Sequence, residues 1–138
     1  MYLSNNRLSG GFSASIGKLT HLEQLMLYSN SLRGPLPAAL GTLSLLKSIY
    51  LNGNSFVGTI PSELAQLNDL QDLALGNNAL SGPVPMALLQ VTKLRTLWLG
   101  RNFGLCLRAP LTQQALCQGK SDVCMTEALP VCDTNDDL

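Results

Sequence analysis

The sequence has few of the side chains on which enzymes and nucleic-acid-binding proteins depend. Charged residues make up 13% of the chain and balance formally to zero, and the single histidine is His21. A weakly charged, balanced chain has no general attraction to nucleic acid or to an anionic membrane. A lone histidine without a partner also fails to provide the base that activates a serine or cysteine nucleophile. We therefore expect no catalytic residue and no nucleic-acid partner.

The sequence also lacks the motifs that hold cofactors or span membranes. The "SGG" at residues 9–11 is not followed by the lysine and hydroxyl residue of a phosphate-binding loop. No uninterrupted apolar stretch approaches the roughly 18 residues that cross a bilayer. No leader of charged and then apolar residues precedes Met1, and no N-glycosylation sequon occurs. We expect no cofactor, no metal and no membrane span in this chain, while a longer parent protein could contain a span.

Leucine, in contrast, is abundant, with 30 of the 138 residues, and it recurs with a fixed period. The period is clearest in five equally spaced asparagines, which are Asn6, Asn30, Asn54, Asn78 and Asn102. Such a period predicts coils that stack, because one coil buries its apolar side only against its neighbours. The alternation in "LML" at residues 25–27 predicts one short strand per coil. Stacking then places these strands side by side and parallel in one sheet.

Two other recurring residues predict how each coil continues after its strand. The asparagine comes where the chain turns inward, and its amide both donates and accepts the hydrogen bonds that a buried turn requires. We therefore assign the five asparagines a structural role. The recurring Pro37, Pro61 and Pro85 predict the start of a short helix, as in "PSELAQL" at residues 61–67.

This pattern resembles that of a known family. Residues 46–69, "LKSIYLNGNSFVGTIPSELAQLND", follow L-x-x-L-x-L-x-x-N-x-L-x-G-x-I-P-x-x-L-G-x-L-x-x almost position by position, and residues 22–45 and 70–93 match as well. The chain thus resembles the plant-type extracellular leucine-rich repeats over about residues 1–108. The resemblance implies an α/β fold, a right-handed horseshoe solenoid with a parallel sheet on its concave face. Short helices or 3-10 turns are expected on the convex face.

The resemblance also implies two possible functions, and a third follows from what the sequence lacks. The preferred one is a non-enzymatic recognition module of a receptor-like protein, at the cell surface or outside the cell, with a protein, peptide or polysaccharide partner on the concave face. The alternative is a secreted inhibitor or cell-wall-binding protein similar to the polygalacturonase-inhibiting proteins. An intracellular scaffold or truncated remnant is the third, because leader and sequons are missing.

The first coil is expected to be incomplete. Leu3 already occupies the position that Leu27 has in the next unit, so the chain begins within a predicted strand. We expect a fragment of a longer protein. If the chain exists as written, the edge near Leu3 and Leu8 should be exposed and adhesive.

Cysteines occur only after the repeats, at Cys106, Cys117, Cys124 and Cys132. They allow three pairings, among which the spacing does not choose. Disulfides in an oxidising compartment are preferred, with free cytosolic thiols and a metal site as alternatives. No C-x-x-C pair occurs, and His21 lies far before the first cysteine in the sequence, which disfavours a metal.

The end of the repeats also resembles the family. The phrase "NFGLCLRAPL" at residues 102–111 is similar to the closing phrase N-x-G-L-C-G-x-P-L, with Leu107 in place of a glycine. This resemblance implies a Cys106–Cys117 disulfide and leaves Cys124 to pair with Cys132. We divide the chain into an array of four to five coils over residues 1–105, with the first and last incomplete, a cysteine-containing cap over 106–132 and an acidic disordered tail over 133–138.

The outward positions of the predicted strands are free of the repeat and are where a partner would be recognised. All three tyrosines and the one tryptophan fall on them, and aromatic side chains are common anchors of recognition. Alternatively, these rings cover neighbouring backbone and bind nothing, or Trp98 packs beneath the cap. As candidate ligand-binding residues we select Met26, Tyr28, Tyr50, Asn52, Asp72, Arg95, Trp98 and Arg101.

Overall fold

The computed structural model describes residues 1–108 and 129–132 of the chain. The described residues contain nine strands: β1 (Ser9–Gly10), β2 (Gln24–Met26), β3 (Ser31–Pro35), β4 (Ser48–Tyr50), β5 (Ser55–Gly58), β6 (Asp72–Ala74), β7 (Ala79–Pro83), β8 (Thr96–Trp98) and β9 (Gly104–Cys106). They also contain four 3-10 helices: η1 (Ala14–Lys18), η2 (Ala38–Thr42), η3 (Ser62–Gln66) and η4 (Met86–Gln90). We number the coils 1 to 5 by the asparagine that each contains, from Asn6 to Asn102.

The predicted parallel sheet is formed by β2, β4, β6 and β8 in that order. Each residue pairs with its equivalent in the next coil, as in Leu25 with Ile49 and Ile49 with Leu73. The middle residue of every strand is buried, whereas six of the eight residues that flank these middle residues are partly exposed. This sheet lines the concave face of a horseshoe solenoid, so the predicted fold class is confirmed.

A second parallel sheet, in the order β1, β3, β5, β7 and β9, runs along the return legs of the coils. We did not expect it, because a glycine followed by a proline is typical of turns. Gly34, Gly58 and Gly82 lie within or at the end of these strands at φ of +85°, +78° and +79°. Only glycine adopts this backbone without strain, so it lets the return leg bend while it remains paired.

Short 3-10 helices complete the coils on the convex side, as predicted. Pro61 is the N-cap residue of η3 and not part of its first turn, and Pro37 and Pro85 have the same place before η2 and η4. The helices of neighbouring coils approach very closely. A Cβ atom at Gly41, on η2, would lie 2.4 Å from the backbone carbonyl oxygen of Glu63 on η3. A side chain at residue 41 therefore cannot be accommodated without separating the two coils.

The hydrophobic core runs through the solenoid between the two sheets and the helices. Its members are the repeating apolar residues, including Leu25, Leu40, Ile49, Leu64, Leu73, Leu88 and Leu97. One aromatic contact joins coils that are not neighbours, since the rings of Phe12 and Phe56 stack with centroids 5.5 Å apart. The regular period thus produces one continuous core.

A short segment near the C-terminus adds to the second sheet. Within this segment, residues 129–132, Val131 forms a parallel bridge with Leu107. The Leu107 N–H donates to the Pro130 carbonyl at 2.7 Å, and the Cys132 N–H donates to the Leu107 carbonyl at 2.9 Å. We call residues 129–132 the C-terminal strap.

The disulfide between the strap and β9 shows that the expected cysteine pairing is wrong. Cys106 is bonded to Cys132, with their Cα atoms 5.0 Å apart, so the pairs Cys106–Cys117 and Cys124–Cys132 were wrong. The reason is that pairing of the strap with Leu107 brings Cys132 beside β9. Cys117, Cys124 and the predicted tail over 133–138 lie outside the described residues.

Candidate functional site

The repeating asparagines join each coil to the coil before it. The Asn54 Nδ2 donates to the carbonyls of Leu51, in its own coil, and Leu27, in the preceding one, at 3.0 and 2.9 Å. Its Oδ1 accepts from the Leu32 N–H at 3.0 Å. Equivalent bonds occur at Asn30, Asn78 and Asn102. These side chains hold the scaffold on which the concave residues are placed.

The residue before each of these asparagines has a left-handed backbone. It is Gly53 in coil 3, where such a backbone is unstrained, but Ser29 in coil 2 and Arg101 in coil 5, with φ of +54° and +58°. The geometry turns the chain away from the concave sheet. Arg101, one of the candidate ligand-binding residues, is exposed at this turn.

The central row of the concave sheet contains most of the candidate aromatic residues. Its members are in register from coil to coil and are Tyr2, Met26, Tyr50, Ala74 and Trp98. Tyr50 and Trp98 are partly buried, and Ala74 between them is buried. Two aromatic residues therefore lie on β4 and β8, and a small residue lies between them on β6. Tyr28 lies in the next row along the strand direction and is also partly buried.

Trp98 packs on the neighbouring coil. A Cβ atom placed on Gly76, in coil 4, would lie 2.6 Å from Cε2 and 2.7 Å from Nε1 of the indole. The ring therefore rests on the Gly76 backbone. It covers neighbouring backbone, as one of the two alternatives held, yet remains partly exposed on the concave side. Most of the cap, on which the other alternative depends, lies outside the described residues.

Polar groups lie beside the two rings. The Ser48 hydroxyl donates to Oδ2 of Asp72 at 3.0 Å, and Arg95 Nη2 donates to Oε1 of Gln71 at 2.8 Å. Partial burial raises the pKa of Tyr50 above its usual value; the Asp72 carboxylate adds to this rise and Arg95 opposes it. The structure thus brings Tyr50, Asp72 and Arg95 within electrostatic reach of one another.

Asn52 differs from the other candidate residues. It is partly buried in the same row as Gly76, and its Oδ1 is buried with no hydrogen-bond partner among residues 1–108 and 129–132. A buried carbonyl oxygen of this kind usually accepts a bond from water or from a ligand.

Two ion pairs connect coils along one edge of the concave sheet. Lys47 binds Glu23 at 2.7 Å, and Lys93 binds Asp69. A hydrogen bond from the lysine, followed by its charge, lowers the pKa of each carboxyl group. All four groups are well exposed, so the pairs contribute little to stability.

The contact between Trp98 and Gly76 leads to a prediction about the indole. In Gly76→Ala the added methyl group should displace the ring toward solvent, because the space for it is already occupied. The single tryptophan should then emit at longer wavelength and be quenched more strongly by acrylamide. Val57→Ala, which shortens an exposed side chain on the second sheet, is the control. Identical spectra for Gly76→Ala and the unsubstituted chain would show that the ring does not rest on Gly76.

Sequence reasoning missed Gly76, Ser48 and Gln71 as parts of this site. The only available signal for Gly76 was its outward position, where coils 1 to 3 have Ser4, Tyr28 and Asn52. A missing side chain next to a row with a tryptophan leaves room for the ring. Nothing in the sequence, however, shows in which direction the ring turns.

The described residues show neither a metal-binding cluster nor a membrane helix. In residues 1–108 and 129–132, no three His, Cys, Asp or Glu side chains are grouped to bind a metal ion. In the same residues, no helix is long and apolar enough to cross a membrane.

A solenoid with an open, partly aromatic concave sheet defines the class of repeat proteins that offer extended binding surfaces. The family model for the Leucine Rich Repeat matches residues 1–19, 21–43 and 45–67. Over the matched residues the chain thus consists of leucine-rich repeats, which confirms the predicted resemblance. A search of the curated proteins found no significant match.

Solved structures with the same fold include plant receptor ectodomains. One is the ectodomain of the Arabidopsis thaliana membrane receptor kinase GASSHO1/SCHENGEN3 in complex with CASPARIAN STRIP INTEGRITY FACTOR 2, at 35% identity and a TM-score of 0.64 over 75% of this chain and 11% of that one. Another is the Arabidopsis receptor kinase HAESA in complex with the peptide hormone IDA and the co-receptor SERK1, at 28% identity and a TM-score of 0.75 over 85% of this chain and 20% of that one.

A third similar structure is that of a plant ice-binding protein, at 29% identity and a TM-score of 0.71 over 78% of this chain and 34% of that one. In all three comparisons the chain spans about a third or less of the other protein's length.

Proposed function

We propose that the chain is a non-enzymatic recognition module that binds an extracellular peptide or protein on its concave sheet, as part of a receptor-like protein. The observation that carries this proposal is the pair of partly exposed rings, Tyr50 on β4 and Trp98 on β8, with the small residue Ala74 on β6 between them. Large aromatic side chains fixed by their surroundings lose little freedom on binding and supply much contact area.

The polar groups around the rings suit the main chain and side chains of a peptide. Asp72 and Gln71 offer acceptors, and Arg95 offers guanidinium donors beside the rings. An apolar centre with a hydrogen-bonding rim is the usual composition of a protein interface. GASSHO1/SCHENGEN3 and HAESA, which share this fold, were solved in complex with CASPARIAN STRIP INTEGRITY FACTOR 2 and with a peptide hormone, respectively. The similar part of GASSHO1/SCHENGEN3 is the ectodomain of a membrane receptor, which supports an extracellular location for this chain as well.

The alternative is a secreted inhibitor or cell-wall-binding protein. The similarity to a plant ice-binding protein shows that proteins of this fold are not all described as receptors. A sugar ring would stack on the free face of the Trp98 indole as readily as a peptide group would. The two functions therefore share a surface and differ in the ligand.

The test is a selection followed by measured affinities. A displayed random-peptide library and a panel of cell-wall oligosaccharides are screened against the full chain, and the best binder is titrated by calorimetry. Tyr50→Ala and Trp98→Ala should each weaken binding by a factor of about 30, which corresponds to roughly 2 kcal/mol for a central aromatic contact. Val57→Ala, which shortens an exposed side chain on the second sheet, is the matched control and should have no effect.

The outcome also separates the two functions. A peptide binder that depends on Tyr50 and Trp98 supports the recognition module, and an oligosaccharide binder with the same dependence supports the wall-binding alternative. If both variants keep their circular dichroism spectra and the unsubstituted affinity, the concave assignment is wrong.

A further inference from the structure

A carboxylate lies beside both aromatic residues of the central concave row. Asp72 and Ala74 are two residues apart on β6, so their side chains are on the same face of the sheet. Ala74 pairs with Tyr50 on one side and with Trp98 on the other. Asp72 is therefore a diagonal neighbour of both aromatic residues. We call Tyr50, Asp72 and Trp98 the aromatic–acid cluster.

The three side chains of the cluster meet above Ala74. Ala74 is only 1% exposed, and because its side chain is a single methyl group, its neighbours on this face must cover it. The indole of Trp98 reaches over Gly76, the next residue of coil 4 on the same face. Burial raises the pKa of Tyr50, and the charge of Asp72 raises it further, so the carboxylate lies near the phenol.

The charge of Asp72 is not neutralised within the described part of the chain. Its Oδ2 accepts a hydrogen bond from the Ser48 hydroxyl, which is uncharged, and it forms no ion pair with any described residue. Glu23 and Asp69, along the edge of the same sheet, are each paired with a lysine. A partly buried carboxylate without a counter-charge is unfavourable, so a cation brought by a ligand would be bound strongly there.

We propose that the aromatic–acid cluster is a subsite for a cationic side chain of the bound peptide, and above all for arginine. The inference rests on the proposed function, because it specifies what the concave sheet recognises in its ligand. A guanidinium group stacks on an aromatic face and donates two parallel hydrogen bonds to a carboxylate. A lysine ammonium supplies the charge without this paired geometry and should bind more weakly.

Arg95 is a cationic residue near the cluster, but its guanidinium is held elsewhere. Its Nη2 donates to Oε1 of Gln71 at 2.8 Å, and its charge acts on Tyr50 against the effects of burial and of Asp72. The competing hypothesis is therefore an acidic ligand group held by Arg95. It is less well supported, because Arg95 is exposed and its charge is already solvated, whereas the Asp72 carboxylate is partly buried.

The test exposes the full chain to two displayed random-peptide libraries, one without acidic residues and one without basic residues. Because the chain has a formal net charge of zero, it has no general preference for peptides of either sign. Binders are then titrated by calorimetry against the Tyr50→Ala and Trp98→Ala variants. Peptides that depend on both rings should come from the library that contains basic residues, and they should share an arginine.

A double-mutant cycle then shows whether this arginine contacts the cluster. Asp72→Asn removes the charge but keeps an acceptor for the Ser48 hydroxyl, and citrulline in the peptide keeps the shape of arginine without its charge. Each change alone should weaken binding about tenfold. The two changes together should weaken it little further, because both remove the same ion pair.

Two further variants separate the cluster from the general charge of the sheet edge. Asp69→Asn is the matched control, since it removes a carboxylate three residues earlier that already pairs with Lys93, and it should change the affinity by less than about twofold. Arg95→Gln should tighten binding about two- to threefold, because it removes a charge that repels the ligand's cation. Thermal unfolding curves check that every variant remains folded.

The outcomes distinguish failure of the subsite from failure of the proposed function. The subsite is wrong, while the proposed function stands, if peptides that need both rings contain no basic residue. The same holds if citrulline weakens binding to Asp72→Asn as much as to the unsubstituted chain, or if the peptides bind through an acidic residue that depends on Arg95. If no peptide from either library depends on the rings, the proposed function fails and the subsite with it.

Discussion

Asn102→Ala is expected to destabilise the chain more than the same change at any other asparagine of the series. Asn102 is 3% exposed, its Nδ2 donates to the carbonyls of Leu75 and Leu99, and its Oδ1 accepts from the Leu80 N–H. Alanine leaves the Leu99 carbonyl and the Leu80 N–H without these partners, whereas the Leu75 carbonyl keeps the hydrogen bond from Asn78. Because each such group costs about 1–3 kcal/mol, the free energy of unfolding should fall by about 2–6 kcal/mol.

Urea unfolding of the whole series measures this effect. Asn54→Ala and Asn78→Ala should lose about 1–3 kcal/mol, because their side chains are only partly buried and water can reach some of the freed groups. Asn6→Ala should lose least. Asn68→Ala, an exposed asparagine outside the series, is the control. Equal losses at Asn68 and Asn102 would contradict the structural role of the asparagines.

Breaking the Cys106–Cys132 disulfide is the second large effect that we expect. The bond closes a loop between residues 26 positions apart, and loss of such a crosslink usually removes about 2–4 kcal/mol of stability. The strap should then detach from Leu107, because within residues 1–108 and 129–132 its pairing there consists of the two backbone hydrogen bonds of a single bridge. Cys106→Ser and Cys132→Ser should have equal effects, since each removes the same bond.

Urea unfolding and peptide mapping without reduction check both parts of this prediction. The double substitution should be no more destabilising than either single one, and Val131→Ala, which shortens an exposed side chain of the strap, is the control. A mapped peptide that links Cys106 to Cys117 would contradict the pairing in the structure and restore the one that the family resemblance implied.

Most of the fold could be predicted because the fixed period restricts each coil in the same way. The alternation around Leu27 and Leu51 indicated the concave strands, and Pro37, Pro61 and Pro85 indicated the 3-10 helices. The second sheet could not be predicted, because its strands contain Gly34, Gly58 and Gly82. Local preference opposes glycine in a strand, and only hydrogen bonds to the neighbouring coils maintain the pairing there.

The candidate site was predictable only as a set of positions. Alternation along the strands showed that Tyr50, Asp72 and Trp98 face outward. Their contacts depend on the adjacent coil, as in the packing of Trp98 on Gly76 and the bond from Ser48 to Asp72. These partners lie about one full coil apart in the sequence, and no local preference of either residue sets the direction of its side chain.

The sequence by itself determined the stacked coils, the concave strands and the row of asparagines, because a repeated pattern imposes the same burial and hydrogen bonding on every coil. Only the tertiary structure decided the pairing of Cys106 with Cys132 and the position of the Trp98 ring. Each of these depends on distances between coils at the ends or at variable positions of the array. There the period no longer specifies which residue is the neighbour.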